Sequence, residues 1–196
     1  KTIGAAPAAK ATVALVFSYE AQWLFGTQPQ GAAWSYSGIV FEWFSALRRF
    51  GLDVDIVPPQ ADFSGYRAIF APTLPILDDA FVARIRNSGA ITLFGPRTGS
   101  KTASLTIPVG LAPGALKALI PFTVTHVESF PADHREHGQF NGAKVAGRLW
   151  LDHVETSLAP LAAREDGAGL LYRHDRALYL TTVPDHAFLA ALFASI

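Results

Sequence analysis

Cysteine and methionine are both absent from this chain of 196 residues. The lack of cysteine excludes disulfides, zinc–thiolate sites and thiol nucleophiles. The chain begins at Lys1 rather than at a methionine, and its first residues are small and show no hydrophobic pattern. Such a segment is typical of a linker. We therefore expect residues 1–11 to be a linker, residues 12–196 to be a single domain, and the whole to be cut from a longer protein.

Net charge is also absent, because 16 Lys and Arg residues balance 16 Asp and Glu residues. There is no basic cluster, so nothing favours nucleic acid or an anionic membrane surface as a partner. Long hydrophobic runs are missing as well, since none approaches the roughly 20 residues that a membrane-spanning helix needs. Half of the residues are nonetheless hydrophobic. This composition predicts a globular domain with a large core and with no nucleic-acid partner, no membrane partner and no cofactor.

Short apolar runs bounded by glycine or proline indicate the fold class of the first half. Four of them are predicted as strands, at residues 12–17, 54–57, 66–71 and 90–94. The runs at 12–17 and 90–94 are apolar without alternation, which predicts a central strand and a strand buried on both faces of the sheet, respectively. Apolar residues at three- and four-residue steps predict a helix over residues 36–50, with Gly51 as its stop. Asp78 or Asp79 can cap a second helix that ends at Gly89. This alternation predicts an α/β fold with a doubly wound, mostly parallel sheet and helices on both faces.

The alternation stops after Thr102, and the second half is predicted to add short antiparallel strands. These strands are expected at residues 122–127, 145–151, 170–174 and 177–183, with short helices at residues 114–119 and 188–193. Residues 129–141 contain Pro131, Gly138 and mixed charges, which predicts a loop. The aromatic, glutamine-containing residues 19–36 are predicted as a loop as well.

The turn at residues 95–102 nearly matches the phosphate-binding pattern G-x-x-x-x-G-K-[ST]. Lys101 and Thr102 fit the pattern, but Ser100 stands where the second glycine is required. The segment that follows also lacks the helix whose N-terminus would complete an anion site. We therefore favour a turn shaped by glycine and proline over a nucleotide site.

The same turn has the position of a nucleophile elbow, in which a reactive serine or cysteine directly follows a strand. Pro96 and Arg97 occupy those places, and neither can attack a carbonyl. Ser100 comes later and has Lys101 beside it rather than a histidine whose position can be predicted. The sequence therefore predicts no catalytic residue here.

A polar cluster and a single glutamate are the remaining candidates for a site. Asp133, His134, Glu136 and His137 resemble a metal-binding cluster, but they fall in a predicted loop without a second cluster. A solvated polar loop is the favoured interpretation, and no metal site is predicted. Glu20 lies near the end of the first strand but has no identifiable partner for paired-carboxylate hydrolysis.

The aromatic segment is the most informative group. Trp23, Phe25 and Trp34 suit sugar stacking, packing beneath their own loop, or the core of a protein interface. We favour an interface, because amphipathic aromatic residues are frequent interface anchors. Arg97 is predicted at the same end of the sheet. Trp23, Phe25, Trp34 and Arg97 are therefore our candidate interface residues.

Six segments in one order carry a resemblance to a known family. They are VALVFSYEAQW, FSALRRFGLDVDIV, YRAIFAPTLPILDD, GAITLFGPRTGSKT, LAPGALKALIPFTV and ALYLTTVPDHAFLAAL. Together they resemble the trimerisation domain of glycoside hydrolase family 42 β-galactosidases, over nearly the whole chain from Thr12. The resemblance implies a flavodoxin-like fold related to class I glutamine amidotransferases.

The resemblance also implies a function for the longer protein. Its parent enzyme would be a retaining β-galactosidase with a TIM barrel that holds both catalytic glutamates. That barrel is not in this sequence, so no catalytic residue can be carried over. The implied partners are two further copies of the chain in a homotrimer, and the parent TIM barrel. We expect the enzyme to be cytoplasmic.

Two alternatives from other classes stay open at the level of sequence. The same scaffold could serve as a sensor that binds a sugar or another small molecule in the crevice of the sheet. It could also be a cryptic amidotransferase-like hydrolase, with Ser100 as its nucleophile.

Overall fold

The computed structural model describes residues 11–196, so residues 1–10 of the linker predicted at residues 1–11 lie outside the described part of the chain. Its strands are β1 (Val13–Val16), β2 (Val54–Val57), β3 (Ala68–Ala71), β4 (Ile91–Phe94), β5 (Thr123–Ser129), β6 (Glu136–Phe140), β7 (Ala143–Glu155), β8 (Ala162–Arg164), β9 (Gly169–His174), β10 (Ala177–Leu180) and β11 (Thr182–Pro184). Its helices are α1 (Tyr19–Thr27), α2 (Tyr36–Arg49), α3 (Asp79–Ser88), α4 (His186–Phe193) and a short 3-10 helix (Gly114–Ala118). These elements form a mixed α/β domain with one sheet of 11 strands.

Five strands form a parallel half of the sheet in the order β2-β1-β3-β4-β10. Strand β1 is buried at all four positions, because its residues are apolar and both faces of the sheet are covered. Val13 and Leu15 point into one hydrophobic core, and Ala14 and Val16 into the other. The predicted parallel strands of the first half are confirmed. The prediction of a mostly parallel sheet is wrong, because six of the 11 strands, β5 to β9 and β11, pair antiparallel.

Local sequence signals set the ends of the helices on the two faces. The Asp78 carboxylate accepts the N–H of Phe81 at 2.7 Å and starts α3, which ends where Gly89 adopts a left-handed φ of 65°. The Asp185 carboxylate accepts the N–H of Phe188 in the same way and starts α4. Helices α2 and α4 contribute to one core, and α3 contributes to the other.

The remaining strands form an antiparallel half in the order β11-β7-β6-β8-β9-β10, with β5 added on β7. Only Thr181 separates β10 from β11, and its backbone carbonyl accepts the N–H of Asp152 in β7 at 2.7 Å. The first and last strands of this half are therefore nearly continuous in the chain, so this half curls back on itself. The single strand predicted at residues 177–183 is divided at this point.

The predicted loop at residues 129–141 is wrong for its second part, which forms β6. This strand pairs with β7 on one side and β8 on the other, with Gly138 and Phe140 buried and His137 and Gln139 exposed. The alternation is that of a half-exposed antiparallel strand. Charged residues and a glycine hide it in the sequence. Strand β8 was not predicted either.

The predicted aromatic loop at residues 19–36 is also wrong in part, because its beginning forms α1. Ser18 starts this helix by accepting the N–H of Ala21 on its hydroxyl oxygen at 3.2 Å. Leu24 and Phe25 are buried, whereas Trp23 is exposed. Across the described residues, 11–196, none of the helices combines the length and apolar character needed to traverse a bilayer.

Candidate functional site at the turn after β4

The chain turns sharply at the carboxyl end of β4, where the sequence placed an elbow. A Cβ atom on Gly95 would lie 1.7 Å from the carbonyl oxygen of Pro72, so only glycine fits there. Arg97 adopts a φ of 67°, which is left-handed and unfavourable for a residue with a side chain. A strained residue just after a strand is the geometry of a nucleophile elbow. Here the strained position carries an arginine.

A buried aspartate holds this turn in place. Asp152 in β7 is only 3% exposed. Its Oδ2 accepts the backbone N–H of Arg97 at 2.9 Å and the hydroxyl of Tyr179 at 2.7 Å, and its Oδ1 accepts the indole N–H of Trp150 at 2.8 Å. Three donors therefore converge on one carboxylate, and they link the turn after β4 to β7 and β10.

The electrostatics of this group follow from burial. Burial raises the pKa of the Asp152 carboxyl, whereas the donors from Arg97, Trp150 and Tyr179 lower it by stabilising the ionised form. Burial and the neighbouring Asp152 raise the pKa of Tyr179 well above its usual value. The phenol therefore stays protonated and continues to donate to the carboxylate.

Side-chain stacking extends the group toward the surface. The guanidinium of Arg97 lies 4.8 Å from the ring centre of Trp150, which is a cation–π contact. Trp34 meets Trp150 edge-on at 5.9 Å, and Phe25 packs on Trp34 at 5.2 Å. Three of the four candidate interface residues, Phe25, Trp34 and Arg97, are thus connected through Trp150.

The four candidate interface residues differ in their exposure to solvent. Phe25 is buried within the domain, and Trp34 and Arg97 are partly exposed. Trp23 lies apart from this group on α1, where its ring is 6.2 Å from that of Tyr19 and both side chains are 67% exposed. The role of these four residues in an interface stays a prediction.

Sequence reasoning missed Trp150, Asp152 and Tyr179. Trp150 and Asp152 alternate along β7 and so share one face of that strand. The chain kinks just before them, where Leu149 has a φ of 64° and the pairing of β7 with β11 shifts its register. Such bulges redirect side chains next to functional sites. The sequence contains no local signal for this bulge.

The geometry of the turn agrees with the absence of a nucleophile and of a phosphate site. Ser100 is 7% exposed, so its hydroxyl does not face a substrate. The segment after Thr102 reaches no helix until the short 3-10 helix at Gly114–Ala118. The described residues therefore provide no helix N-terminus directly after this turn for a phosphate.

Two residues of the polar cluster weighed as a metal site, His134 and Glu136, contact each other, and Glu136 also pairs with Arg164. His134 Nε2 lies 2.5 Å from one oxygen of Glu136, and Arg164 Nη1 lies 2.8 Å from the other. Glu20 is exposed in the first turn of α1. Within residues 11–196, the group that brings three possible metal ligands together is a different one, formed by His126, Glu128 and His153.

The protein is a mixed α/β domain with an elbow-like turn after β4. Arg97 occupies the position at which a nucleophile elbow carries its reactive serine or cysteine. The family model of the β-galactosidase trimerisation domain matches residues 11–196. The chain belongs to this family, and the resemblance stated from the sequence is confirmed.

Relatives and solved structures agree with this assignment. The chain is 46% identical over 190 residues to the β-galactosidase BgaA of a Thermus species, which covers 97% of this chain and 30% of the relative. It is 45% identical to the β-galactosidase of Thermus thermophilus, with the same coverage. The crystal structure of the β-galactosidase from the psychrophilic Marinomonas ef1 superposes with a TM-score of 0.91 at 32% identity, over 94% of this chain and 28% of that one. The chain therefore spans 30% of the length of these two Thermus relatives.

Proposed function

We propose that this chain is the non-catalytic domain through which a retaining β-galactosidase assembles as a homotrimer. The parent enzyme would hydrolyse terminal β-galactosides in a TIM barrel that contacts this domain. The observation that carries the proposal is the family match over all described residues, 11–196. The turn after β4 supports it, because its elbow position holds Arg97 instead of a nucleophile.

A closed ring of three copies needs two different surface patches on each copy. The first patch consists of Tyr19 and Trp23 on α1 and Ile56 on β2, all exposed and lining one surface groove. Strand β2 is at an edge of the sheet. Exposed apolar groups that gather in this way are typical of interaction sites. We call this surface the α1–β2 patch, and it includes the predicted interface residue Trp23.

The second patch is an arm that leaves the elbow turn. Leu105, Ile107, Val109 and Leu111 alternate with smaller or polar residues in the segment 103–112, and all four are exposed. Such a row of unpaired apolar side chains is unfavourable in water and suits burial against another chain. We call residues 103–112 the apolar arm.

The base of the apolar arm is fixed by the elbow. A Cβ atom on Gly99 would lie 1.9 Å from the carbonyl oxygen of Pro113, so the two ends of the arm are in direct backbone contact. Directly before the arm, the N–H of Thr102 donates to the carbonyl of Thr106 in the arm at 2.9 Å. We infer that Asp152, by holding Arg97, positions the arm toward a neighbouring copy. Trp34 and Arg97 would then flank the contact, and Phe25 would support them from below.

The test measures the mass of the full-length enzyme by sedimentation equilibrium. Trp23→Ala and the pair Ile107→Asp with Val109→Asp are expected to shift the trimer toward monomer. The matched control is Phe41→Ala, because Phe41 is 67% exposed like Trp23 but lies on α2, outside both patches. A trimer mass that is unchanged in both variants would contradict the proposed interface.

We also propose that the parallel half is flavodoxin-like and related to class I glutamine amidotransferases. The strand order β2-β1-β3-β4-β10 supports this, because it corresponds to the order 2-1-3-4-5 of flavodoxin-like sheets. In such sheets, functional turns lie at the carboxyl ends of the strands. The turn after β4 has this position.

A further inference from the structure

We propose that His126, Glu128 and His153 bind a divalent transition-metal ion, such as Zn²⁺, on the paired strands β5 and β7. The three side chains come from two paired strands and lie apart from both proposed interface patches in the sequence. The inference does not depend on the proposed function.

The pairing of the strands places the three ligands together. Strands β5 and β7 are antiparallel, and His126 is directly opposite His153. Side chains opposite each other on paired strands lie on the same face of the sheet. Glu128 is two residues beyond His126 and therefore points to that face as well. The cluster thus follows from the register of two strands rather than from a loop.

The distances suit a metal ion. One ligand atom from each of the three residues lies within 4.8 Å of the other two. The imidazole rings of His126 and His153 are stacked, with centroids 3.8 Å apart and planes 11° from parallel. Nε2 of His153 lies 2.6 Å from Oε1 of Glu128. Zinc bonds of about 2.0–2.2 Å to nitrogen and oxygen place tetrahedral ligand atoms about 3.3 Å apart. Since an imidazole binds a metal ion in the plane of its ring, the two rings must rotate out of their stacked arrangement to hold one ion, and His126 and Glu128 are exposed and can make this change.

The chemistry of the donors selects the class of metal. Two imidazole nitrogens and one carboxylate oxygen form a ligand set that binds Zn²⁺, Ni²⁺, Co²⁺ and Cu²⁺ in preference to Mg²⁺ or Ca²⁺. Three protein ligands leave a position open for water. His126 and Glu128 are exposed and His153 is half-buried, so an ion can enter from solvent.

The position of the site indicates what the metal does. Among the described strands, β5 is paired with β7 alone. An ion held by His126 and Glu128 on one strand and by His153 on the other would tie this outer strand to the rest of the sheet. Because a ligand that binds only the folded state stabilises it, the bound ion should raise the melting temperature.

The test is calorimetric titration of untagged, chelator-treated protein with Zn²⁺, and with Mg²⁺ as the hard-cation comparison. We expect one Zn²⁺ per chain, no measurable Mg²⁺ binding, and a higher melting temperature with Zn²⁺. His126→Ala and Glu128→Gln should each weaken Zn²⁺ binding at least tenfold. His137→Ala is the matched control, since His137 is an exposed histidine on β6 outside the cluster, and it should bind as the parent does.

Circular dichroism of each variant before metal addition separates loss of the site from loss of the fold. The inference is overturned if the parent protein binds no Zn²⁺, or if both ligand variants fold and bind it as tightly as the parent. Binding that His137→Ala removes would also overturn it, because the ion would then be held elsewhere.

Discussion

The backbone N–H of Arg97 donates a hydrogen bond to the carboxylate of Asp152 at 2.9 Å, although the two residues are 55 positions apart in the chain. This contact joins the turn after β4, in the parallel half, to the middle of β7, in the antiparallel half. Trp150 strengthens the same junction, because it stacks under the Arg97 side chain while its indole donates to Asp152. The two halves of the sheet are therefore coupled at the turn from which the apolar arm leaves.

The first prediction concerns Asp152→Asn. An amide has one accepting oxygen, and its NH₂ group would face either the Trp150 indole or the Arg97 N–H, both of which donate. One buried donor therefore loses its acceptor, which costs about 1.5–3 kcal/mol of the free energy of unfolding. Urea unfolding at neutral pH measures this loss. The exposed Asp133→Asn is the matched control, and equal midpoints for the two variants would show that the network does not stabilise the fold.

Much of the parallel half was predictable because its signals are local. The residues VDIV between two breakers gave β2 its observed bounds, Val54–Val57. Asp78 and Gly89 each act on neighbouring backbone groups, so the start and end of α3 could be read from the sequence. Strand β6 could not be predicted from its sequence, because its residues are polar and include a glycine, and its pairing with β7 and β8 compensates for this. Helix α1 was hidden in the same way by aromatic and glutamine residues that suit a loop.

The site was predictable only in part, for a related reason. Pro96 and Arg97 identify the elbow and its missing nucleophile, since they directly follow a recognisable strand. The role of Asp152 depends on contacts with β4 and β10, which are distant in sequence. Nothing near Asp152 in the sequence distinguishes it from a surface carboxylate. Its function as an anchor arises only when the curled antiparallel half brings β7 against the elbow.

A second prediction compares Gly99→Ala with Gly110→Ala. Both glycines have a left-handed φ, of 69° and 83°, so both substitutions carry about 1–2 kcal/mol of backbone strain. At Gly99 the new Cβ would also lie 1.9 Å from the carbonyl oxygen of Pro113, whereas at Gly110 it would meet nothing within 4 Å. Because the backbone must shift to relieve this overlap, we expect Gly99→Ala to lower the free energy of unfolding by more than roughly 4 kcal/mol. Thermal unfolding should therefore rank Gly99→Ala far below Gly110→Ala, and similar melting temperatures would contradict the tight contact at the base of the arm.

The last prediction concerns Tyr36 at the start of α2. Its hydroxyl accepts the buried backbone N–H of Ser18 at 2.7 Å, and Ser18 in turn caps α1. Tyr36→Phe leaves that N–H without its acceptor, so at pH 8 the variant should be less stable by about 1–3 kcal/mol. Tyr19→Phe, at an exposed tyrosine, is the control and should leave the stability at pH 8 unchanged.

The difference between the parent and Tyr36→Phe should also depend on pH. Burial raises the pKa of Tyr36 from 10.0 to about 12. Between pH 10 and pH 12 the unfolded chain releases the Tyr36 proton, whereas the folded chain keeps it. The parent therefore loses stability as the pH rises from 10 toward 12. Below pH 10 the full contribution of Tyr36 to the free energy of unfolding is present. The phenylalanine variant lacks this loss. Urea unfolding at pH 8 and pH 11 should therefore show the stability difference between the two proteins shrinking by about 1.4 kcal/mol at the higher pH. A difference that stays constant would mean that Tyr36 ionises as readily in the folded protein as in the unfolded chain, and one that grows would mean that it ionises more readily in the folded protein.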